Sequence, residues 1–270
     1  MPATILHVSD LHVGARGAPD VGDSLAALVE RLRPDLVVAS GDLTHRGRRG
    51  QHELAASFLQ GLDVPVVAVP GNHDIPHAFP ARFTRPWAEF ERHWRTTRPV
   101  YASDSVFVVG INSARPWRHQ SGGVRDEQLA AAAARLAEAP PGALRMVVLH
   151  HQLIGAPWRT RKRPVARRNH VLGALVDAGA ELIVSGHTHQ CAVAERHEFE
   201  AWSEGRRSTV VATAPGFGRP RPHRRGETRG LLAYEVDEHE LRVQTFIRRA
   251  EDWSLAAVRR YPRADAVLGQ

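Results

Sequence analysis

The sequence predicts an α/β fold in which two packed β-sheets carry helices on their outer faces. Five short, continuous apolar runs rich in valine and isoleucine have the composition of buried strands. These runs are Thr4–Val8, Leu36–Ser40, Val64–Val69, Met146–Leu149 and Leu182–Ser185. Helical patterns separate them along the chain, and further β-like stretches follow in the last third. This order of elements predicts a single domain that spans residues 1–270.

Helices between these strands are predicted from apolar periodicity and from chain-breaking residues. A helix near Ser24–Leu32 ends before Pro34, and the segment Gln51–Gly61 places its apolar residues at helical spacing. The alanine-rich segment Arg125–Ala139 is stopped by a Pro-Pro-Gly turn, and His170–Ala178 precedes a glycine. The first half of the chain therefore alternates strands and helices, which is typical of an α/β sheet.

The remaining segments predict strands and one aromatic element. Ser105–Asn112, Ser208–Ala214 and Leu231–Ile247 are β-like, and the last has a turn near Asp237–Glu240. The aromatic stretch Phe79–Trp94 repeats its rings at helical spacing. It is either a helix that packs on the core or an aromatic wall beside a binding site.

The chain is basic. It contains 36 Lys and Arg against 29 Asp and Glu, which gives a net charge of +7. Such a charge favours phosphorylated ligands, nucleic acid or acidic membrane surfaces. Two segments, Arg159–Arg168 and Arg219–Arg229, hold much of it. Their arginine bias is equally typical of chains from GC-rich genomes, so a role in binding substrate stays open.

Other features exclude several classes of protein. Cys191 is the single cysteine, so an intrachain disulfide is excluded. No apolar segment approaches the roughly 20 residues of a membrane-spanning helix. The N-terminal residues Met1–His7 lack the basic and apolar regions of a signal peptide. We therefore expect a cytoplasmic protein; its oligomeric state stays open, with a dimer as one alternative.

Each of the five apolar runs is followed directly by side chains that can bind metals. The motifs are Asp10-Leu11-His12, Gly41-Asp42, Gly71-Asn72-His73-Asp74, His150 and Gly186-His187-Thr188-His189. Carboxylates and imidazoles are costly inside a buried strand, but the carboxyl end of a strand can accommodate them. Five strand ends that meet at one rim would bring together three aspartates, one asparagine and five histidines.

This set of donors predicts a two-metal hydrolytic centre. Two divalent cations about 3.5–4 Å apart activate the water between them and clamp phosphoryl oxygens. Imidazole and carboxylate ligands suit Mn, Fe, Zn, Co or Ni, of which we expect Mn. Asp42 follows a glycine and is the candidate bridge, and His187 and His189 would share one face of an extended segment. Each motif alone is also explained by a turn, whereas their joint order predicts the centre.

The series Asp-x-His, Gly-Asp, Gly-Asn-His-Asp, His and Gly-His-x-His resembles the calcineurin-like metallophosphoesterase superfamily, and it spans residues 10 to 189. The resemblance implies a four-layer α/β/β/α sandwich of two mixed sheets flanked by helices, with a dimetal site at the strand ends. It also implies two sets of ligands that share one carboxylate. One set is Asp10, His12, Asp42 and His189, and the other is Asp42, Asn72, His150 and His187.

The same resemblance implies roles around the metals. His73 would face the substrate and stabilise the transition state or protonate the leaving oxygen, with Asp74 orienting it. An adjacent carboxylate would raise the pKa of His73 and fix its tautomer, although His73 could instead only brace the turn. In an extended segment His151 would point away from the site, yet relatives often have a second histidine there. We assign His151 and His45 to substrate-binding or outer positions.

The spellings Ser9-Asp10-Leu11-His12 and Val69–Asp74 look most like bacterial class III cyclic-nucleotide phosphodiesterases. We therefore predict a dimetal-dependent phosphodiesterase that attacks a cyclic nucleotide or another small phosphodiester with a water held between the metals. The alternative is a nucleic-acid-processing phosphodiesterase or nuclease that uses the basic surface. A non-enzymatic scaffold is the third hypothesis, and it would be expected to lose ligands that this chain keeps.

Overall fold

The computed structural model describes residues 2–15, 21–118, 120–155, 162–196, 209–218, 229–249 and 252–263. Most of the basic segment Arg219–Arg229 and the first part of Arg159–Arg168 lie outside these described residues. The elements, in chain order, are β1 (Ala3–Val8), α1 (Val21–Leu32), β2 (Leu36–Ala39), α2 (Arg49–Gln60), β3 (Val66–Ala68), α3 (Ala81–Thr84), α4 (Ala88–Trp94), β4 (Val100–Ala102), β5 (Val106–Ile111), α5 (Asp126–Leu136), β6 (Leu144–Leu149), α6 (Arg168–Asp177), β7 (Leu182–Ser185), β8 (Ala192–Glu195), β9 (Val210–Thr213), β10 (Gly230–Val236), β11 (Glu240–Arg249) and β12 (Asp252–Pro262).

The strands form two six-stranded mixed sheets. The first has the order β12-β11-β10-β1-β2-β3, and the second has the order β4-β5-β6-β7-β9-β8. In the first sheet β1, β2 and β3 are parallel, while β10, β11 and β12 join them as antiparallel neighbours. In the second sheet β5, β6, β7 and β9 are parallel, and β4 and β8 are antiparallel edges.

Three apolar cores hold four layers together. One core lies between the sheets, where Ile5 and Val38 of the first sheet share a cluster with Met146 of the second. A second core packs α1, α2 and α4 on the outer face of the first sheet. A third packs α5 and α6 on the second sheet, with Leu129 and Leu175 among its residues. The predicted α/β/β/α sandwich is therefore confirmed.

Three strands have no counterpart in the sequence prediction, namely β4, β8 and β12. Each of them is the last strand at an edge of its sheet. An edge strand has one neighbour and partly faces solvent, so it needs no continuous apolar run. Most residues of β12 are exposed, and β4 and β8 alternate in burial. The apolar signal that identified the central strands is therefore absent from these edges.

The aromatic stretch forms two short helices, α3 and α4. Phe90 is fully buried in the core against the first sheet, and Trp94 packs against the same cluster. Phe79 and Phe83 are exposed instead. The interpretation as a core-packing helix therefore holds for the second half of the stretch only. Among the described residues, no helix has the length and apolar character needed to cross a membrane.

Candidate metal centre

All nine motif side chains lie at one edge of the sandwich, where the parallel strands of both sheets end. Asp10 and His12 follow β1, Asp42 follows β2, Asn72, His73 and Asp74 follow β3, His150 follows β6, and His187 and His189 follow β7. Each of these residues is at most 5% exposed. The structure therefore brings together, in a buried place, the set of donors that the sequence predicted to meet.

The first group of donors surrounds one oxygen of Asp10. His189 Nε2 lies 3.0 Å and His12 Nε2 lies 3.7 Å from Asp10 Oδ1. The two Nε2 atoms are 3.2 Å apart, and His12 Nε2 is 3.9 Å from Asp42 Oδ2. Asp10, His12 and His189 thus place donor atoms within 4.8 Å of one another, and Asp42 lies beside His12.

The second group surrounds His150. Its Nε2 lies 3.2 Å from Asn72 Oδ1, 3.2 Å from His187 Nδ1 and 3.4 Å from Asp42 Oδ1. One oxygen of Asp42 therefore faces His150 while the other faces His12 in the first group. This is the position that a bridging carboxylate must occupy.

The donor atoms fit a pair of transition-metal ions. Ligand atoms bound at about 2.0–2.2 Å to one ion lie roughly 3–4 Å from each other, which is the spacing of the donor pairs given above. Within the described part of the chain, Asp10 Oδ1 and Asp42 Oδ2 are buried without a hydrogen-bond partner. A buried carboxylate oxygen without a partner is costly, and a cation would satisfy it. The mixture of imidazole, carboxylate and amide donors suits Mn, Fe, Zn, Co or Ni.

The backbone at the donors is left-handed rather than extended. The φ angles are 55° at Asp10, 49° at His12, 51° at Asp42, 70° at His187 and 60° at His189. The extended segment expected for His187 and His189 is therefore wrong, because left-handed turns orient both side chains. A non-glycine residue in this region costs on the order of 1–3 kcal/mol, so strain accumulates at the site.

Two glycines allow the loops to approach each other closely. Gly41 has a φ of 92°, and a Cβ there would lie 2.7 Å from the Gly71 amide nitrogen and 2.8 Å from His150 Nδ1. A Cβ on Gly186 would collide with the Ser9 hydroxyl. Both glycines are therefore required for the loops of the two sheets to meet.

Contacts outside the donor groups fix the donor side chains. His150 Nδ1 donates to the Ser40 carbonyl at 2.8 Å, which leaves Nε2 for the site. His187 Nε2 donates to the Gln120 carbonyl at 3.0 Å, which leaves Nδ1. The second oxygen of Asp10 accepts the His187 amide at 2.9 Å. Such outer contacts set tautomer and ring orientation at metal sites.

The electrostatics prepare the groups for cations. Burial acts to raise the pKa of Asp42, but the neighbouring imidazoles, His150 first, outweigh burial and hold the pKa well below its usual value. Burial also acts to raise the pKa of Asp10, but His189 and His150 together outweigh burial and lower it. Burial lowers the pKa of His12 and of His187 well below the ordinary value. Ionised carboxylates and neutral imidazoles are the forms that bind metal.

His150 differs from the other imidazoles. Burial alone would lower its pKa, but Asp42 and then Asp10 attract the proton, and together they raise the pKa to about 9. A cation in the second group would have to displace this proton, since only the neutral ring can coordinate through Nε2.

The predicted contact between Asp74 and His73 is wrong. The Asp74 carboxylate accepts the amides of Thr44 at 2.8 Å, Gly71 at 2.8 Å and Leu43 at 3.2 Å, and also the Thr44 hydroxyl. It therefore joins the loops after β2 and β3. The orientation of His73 comes instead from its Nδ1, which donates to the His45 carbonyl at 2.8 Å.

His73 and His45 lie together beside the first donor group. The His73 ring centroid is 4.8 Å from that of His12 and 5.9 Å from that of His45, with which it stacks. Ring nitrogens of His12, His45 and His73 lie within 4.8 Å of one another. Both residues assigned from sequence to the substrate side are thus adjacent to the site.

His151 does not point away from the site, because the chain bends after β6 instead of staying extended. Its ring is fully buried, with its centroid 4.9 Å from that of His150 and 4.5 Å from that of His187. Its Nδ1 lies 2.9 Å from the Ser113 hydroxyl. His151 therefore occupies an outer position against the second donor group.

Sequence reasoning missed Ser113 and Gln120, which hold His151 and His187 respectively. Ser113 follows the end of β5, so the strand-end rule could have identified it. Gln120 contributes only its backbone carbonyl, which any residue type has. No side-chain pattern could therefore have identified Gln120.

The chain is similar in sequence to a known family and to proteins of known name. Residues 3–191 match the model of the calcineurin-like phosphoesterase family. The chain is 28% identical over 244 residues to the glycerophosphodiester phosphodiesterase GpdQ of Enterobacter lignolyticus, covering 83% of this chain and 81% of that protein. It is 29% identical over 208 residues to a cAMP/cGMP dual specificity phosphodiesterase of Mycobacterium tuberculosis, covering 68% and 61% respectively.

Solved structures show the same fold at low sequence identity. Purple acid phosphatase PPD1 from yellow lupin aligns with all of this chain and 55% of its own, with a TM-score of 0.70 and 12% identity. A dimetal phosphatase from Danio rerio aligns over 94% of this chain and 98% of its own, with a TM-score of 0.63 and 15% identity. The family model covers most of the chain, and the chain belongs to the calcineurin-like phosphoesterase family.

Proposed function

We propose that this protein hydrolyses small phosphodiesters with two divalent cations held at the strand ends. The observation that carries the proposal is the position of Asp42, whose two oxygens face separate groups of donors. One cation would be held by Asp10, His12, Asp42 and His189, and the other by Asp42, Asn72, His150 and His187. The buried carboxylate oxygens without partners support this assignment.

The metals and the protein would divide the chemistry. When bound, two divalent cations supply an acidified water and neutralise charge on the phosphoryl oxygens. The residues of the chain supply orientation and a proton. His73 Nδ1 faces a carbonyl, which can only accept, so Nδ1 carries hydrogen and Nε2 is the nitrogen available to substrate. In its protonated form His73 can donate from Nε2 to the leaving oxygen.

His45 and His151 would play supporting roles. The stacked rings of His45 and His73 form one wall beside the first donor group, where His45 can contact a phosphoryl oxygen. His151, which is buried against His150 and His187, would act through those rings and not on substrate directly. Asp74 would support catalysis by fixing the loop that carries His73.

The named relatives support a phosphodiester substrate over a monoester. One is named for glycerophosphodiesters and the other for cyclic nucleotides, and both are small phosphodiesters. We infer the same class for this chain. The identity of the metal, with Mn²⁺ as the first expectation, and the cytoplasmic location stay predictions, and the oligomeric state stays open.

An activity assay tests the proposal. Protein stripped of metal by a chelator should be inactive, and Mn²⁺ should restore hydrolysis of bis(p-nitrophenyl) phosphate in preference to p-nitrophenyl phosphate. Asn72→Ala should abolish most of this activity, whereas a change at Asp126, an exposed residue at the start of α5, should not. Full activity in the chelated protein or in the Asn72 variant would refute the proposal.

The nucleic-acid alternative rests on the two basic segments, of which Arg219–Arg229 lies mostly outside the described residues. A nuclease would bind oligonucleotides with an affinity that falls steeply as salt is raised. If the protein binds oligonucleotides only weakly at low salt but hydrolyses small diesters, the nucleic-acid alternative is excluded and the small-diester proposal stands.

A further inference from the structure

We propose that three exposed aromatic side chains bind a planar aromatic group of the substrate beside the metal centre. Phe79, Phe83 and Trp117 form this aromatic rim. The inference rests on the proposed function and makes its substrate class narrower. The preferred phosphodiesters would carry a nucleobase or an aryl ring, and ring-free glycerophosphodiesters would be poorer substrates.

The first support is exposure. Phe79 is 83% exposed, Phe83 is 53% exposed and Trp117 is 63% exposed. Among the residues that the structure describes, the other phenylalanines and tryptophans are buried or half-buried. Grouped exposure of large apolar side chains is unfavourable in water and marks surfaces that bind ligands or partners.

The second support is that a hydrogen bond joins the segment of Phe79 and Phe83 to the segment of Trp117. The ring centroids of Phe79 and Phe83 are 6.4 Å apart. Arg82 of α3 is only 8% exposed, and its Nε donates to the Pro116 carbonyl at 2.7 Å. Its guanidinium carbon is 6.0 Å from the centroid of the Phe83 ring. Trp117 directly follows Pro116 in the chain. Arg82 therefore links Phe83, its own neighbour, to the segment that carries Trp117.

The third support is that both segments have a residue beside the metal centre close in sequence to the rim. On one side the ring of His77 is 6.3 Å from the ring of His73, and Phe79 follows two residues later. On the other side the Gln120 carbonyl accepts His187 Nε2, and Trp117 precedes Gln120 by three residues. The length of an extended chain limits the Cα–Cα distance from His77 to Phe79 to about 7 Å, and that from Trp117 to Gln120 to about 11 Å. The rim is therefore within the reach of a nucleoside or aryl group whose phosphate lies at the metals.

The chemistry of the rim selects flat rings. Phenyl and indole faces stack with other aromatic rings, and every nucleobase has such a face. A glycerol group has no flat face and would make only weak contacts with these rings. Nucleobases and aryl esters share the chemistry that the rim recognises, and separate substrates can distinguish them.

Paired substrates and a double variant test the inference. The variant Phe83→Leu with Trp117→Leu keeps apolar side chains but removes two rings. kcat/KM is measured with 3′,5′-cyclic AMP, bis(p-nitrophenyl) phosphate and glycerophosphoethanolamine. We expect the ratio of cyclic AMP to glycerophosphoethanolamine efficiency to fall about tenfold, mainly through a higher KM for the nucleotide. If the ratio of bis(p-nitrophenyl) phosphate to glycerophosphoethanolamine efficiency falls similarly, the rim binds any flat ring. If only the cyclic AMP ratio falls, the rim is specific for nucleobases.

Leu255 provides the matched control, because it is also 53% exposed but lies on the edge strand β12. Leu255→Ser should leave all three efficiencies and their ratios unchanged. Equal losses for cyclic AMP and glycerophosphoethanolamine in the double variant, or no loss, would overturn the aromatic rim. Failure of the wild-type protein to hydrolyse any of the three diesters would instead refute the proposed function itself.

Discussion

The two ends of the sandwich both bury charged side chains, but they treat them differently. At the end opposite the metal centre, Arg263 pairs with Glu181 at 3.0 and 3.3 Å and donates to the Asp237 carbonyl at 2.7 Å. At the other end, carboxylate oxygens of Asp10 and Asp42 are buried with no hydrogen-bond partner among the described residues. One end is complete within the chain, and the other is completed by a ligand.

The difference separates charges that serve stability from charges that serve chemistry. The pair Arg263–Glu181 links the two sheets, because Glu181 precedes β7 and Arg263 follows β12. The metal-centre end instead combines unpaired donors with five left-handed backbones, both of which cost stability. Buried polar groups that remain unpaired under strain therefore indicate where a cation binds.

The largest expected effect is at the bridge. Asp42→Ala removes a donor from both groups, so kcat/KM for a phosphodiester should fall by at least about 10³-fold at saturating Mn²⁺. The free energy of unfolding of the metal-free protein should also fall, by about 1–3 kcal/mol, because Asp42 Oδ1 accepts the His73 amide at 2.8 Å and lies 3.4 Å from His150 Nε2. Steady-state kinetics and urea unfolding measure the two quantities. A large loss of stability with little loss of activity would show that Asp42 serves stability and not chemistry, which contradicts the roles given to the two ends of the sandwich.

The next effect tests the corrected role of Asp74. Asp74→Ala leaves three backbone amides without their acceptor, so the free energy of unfolding should fall by about 4 kcal/mol. Urea denaturation measures this loss. The pH profile of kcat in the surviving folded protein should keep its shape, because Asp74 does not contact the His73 ring. A shifted profile without destabilisation would restore Asp74 as the residue that orients His73.

A smaller effect is expected at the opposite end. Arg263→Ala leaves Glu181 buried without its ion-pair partner, so unfolding free energy should fall by about 3 kcal/mol. Metal content and kcat/KM of the folded variant should match those of the wild type. Thermal unfolding and metal analysis make the comparison. A loss of bound metal in this variant would show that the two ends are coupled.

The smallest effect is a pH dependence from His7, which lies between the sheets. Its nitrogens lie 2.9 Å from the Tyr234 hydroxyl and 2.8 Å from the Ser40 hydroxyl. Burial lowers the pKa of His7 to about 3, with Asp10 opposing only in part. Below about pH 6.5 the His7 side chain binds a proton in the unfolded chain but stays neutral in the folded protein. The free energy of unfolding therefore falls by up to about 1.4 kcal/mol for each pH unit.

His7→Gln removes this contribution and should make the loss of stability toward acid shallower. Unfolding free energies of wild type and variant between about pH 6 and about pH 4.5 provide the test. Parallel curves for the two proteins would mean that His7 takes up its proton in the folded state.

Sequence reasoning identified the central strands and their terminal donors because both follow from local composition. A buried strand needs an apolar run, and a polar residue directly after it must lie at the sheet edge. The edge strands β4, β8 and β12 escaped because half-exposed strands carry no such run. The fold was thus predictable where a strand is covered on both faces, which includes the edge strand β3, and unpredictable at the half-exposed edges β4, β8 and β12.

The side-chain partners within the site were harder to predict. Asp74 was assigned to its neighbour His73, but its carboxylate reaches back to the loop after β2, which only the folded chain brings near. His151 was assigned to a substrate-binding or outer position without a direction, because an extended backbone would have turned it away from the site. Left-handed turns and bends at the strand ends decide these directions, and nothing in the local residue types specifies them.

The most direct test is anomalous diffraction from crystals of the wild-type protein grown with Mn²⁺. Two manganese peaks about 3.5–4 Å apart, one on each side of the Asp42 carboxylate, are the predicted result. A single peak, or peaks that no oxygen of Asp42 contacts, would contradict the two-cation centre.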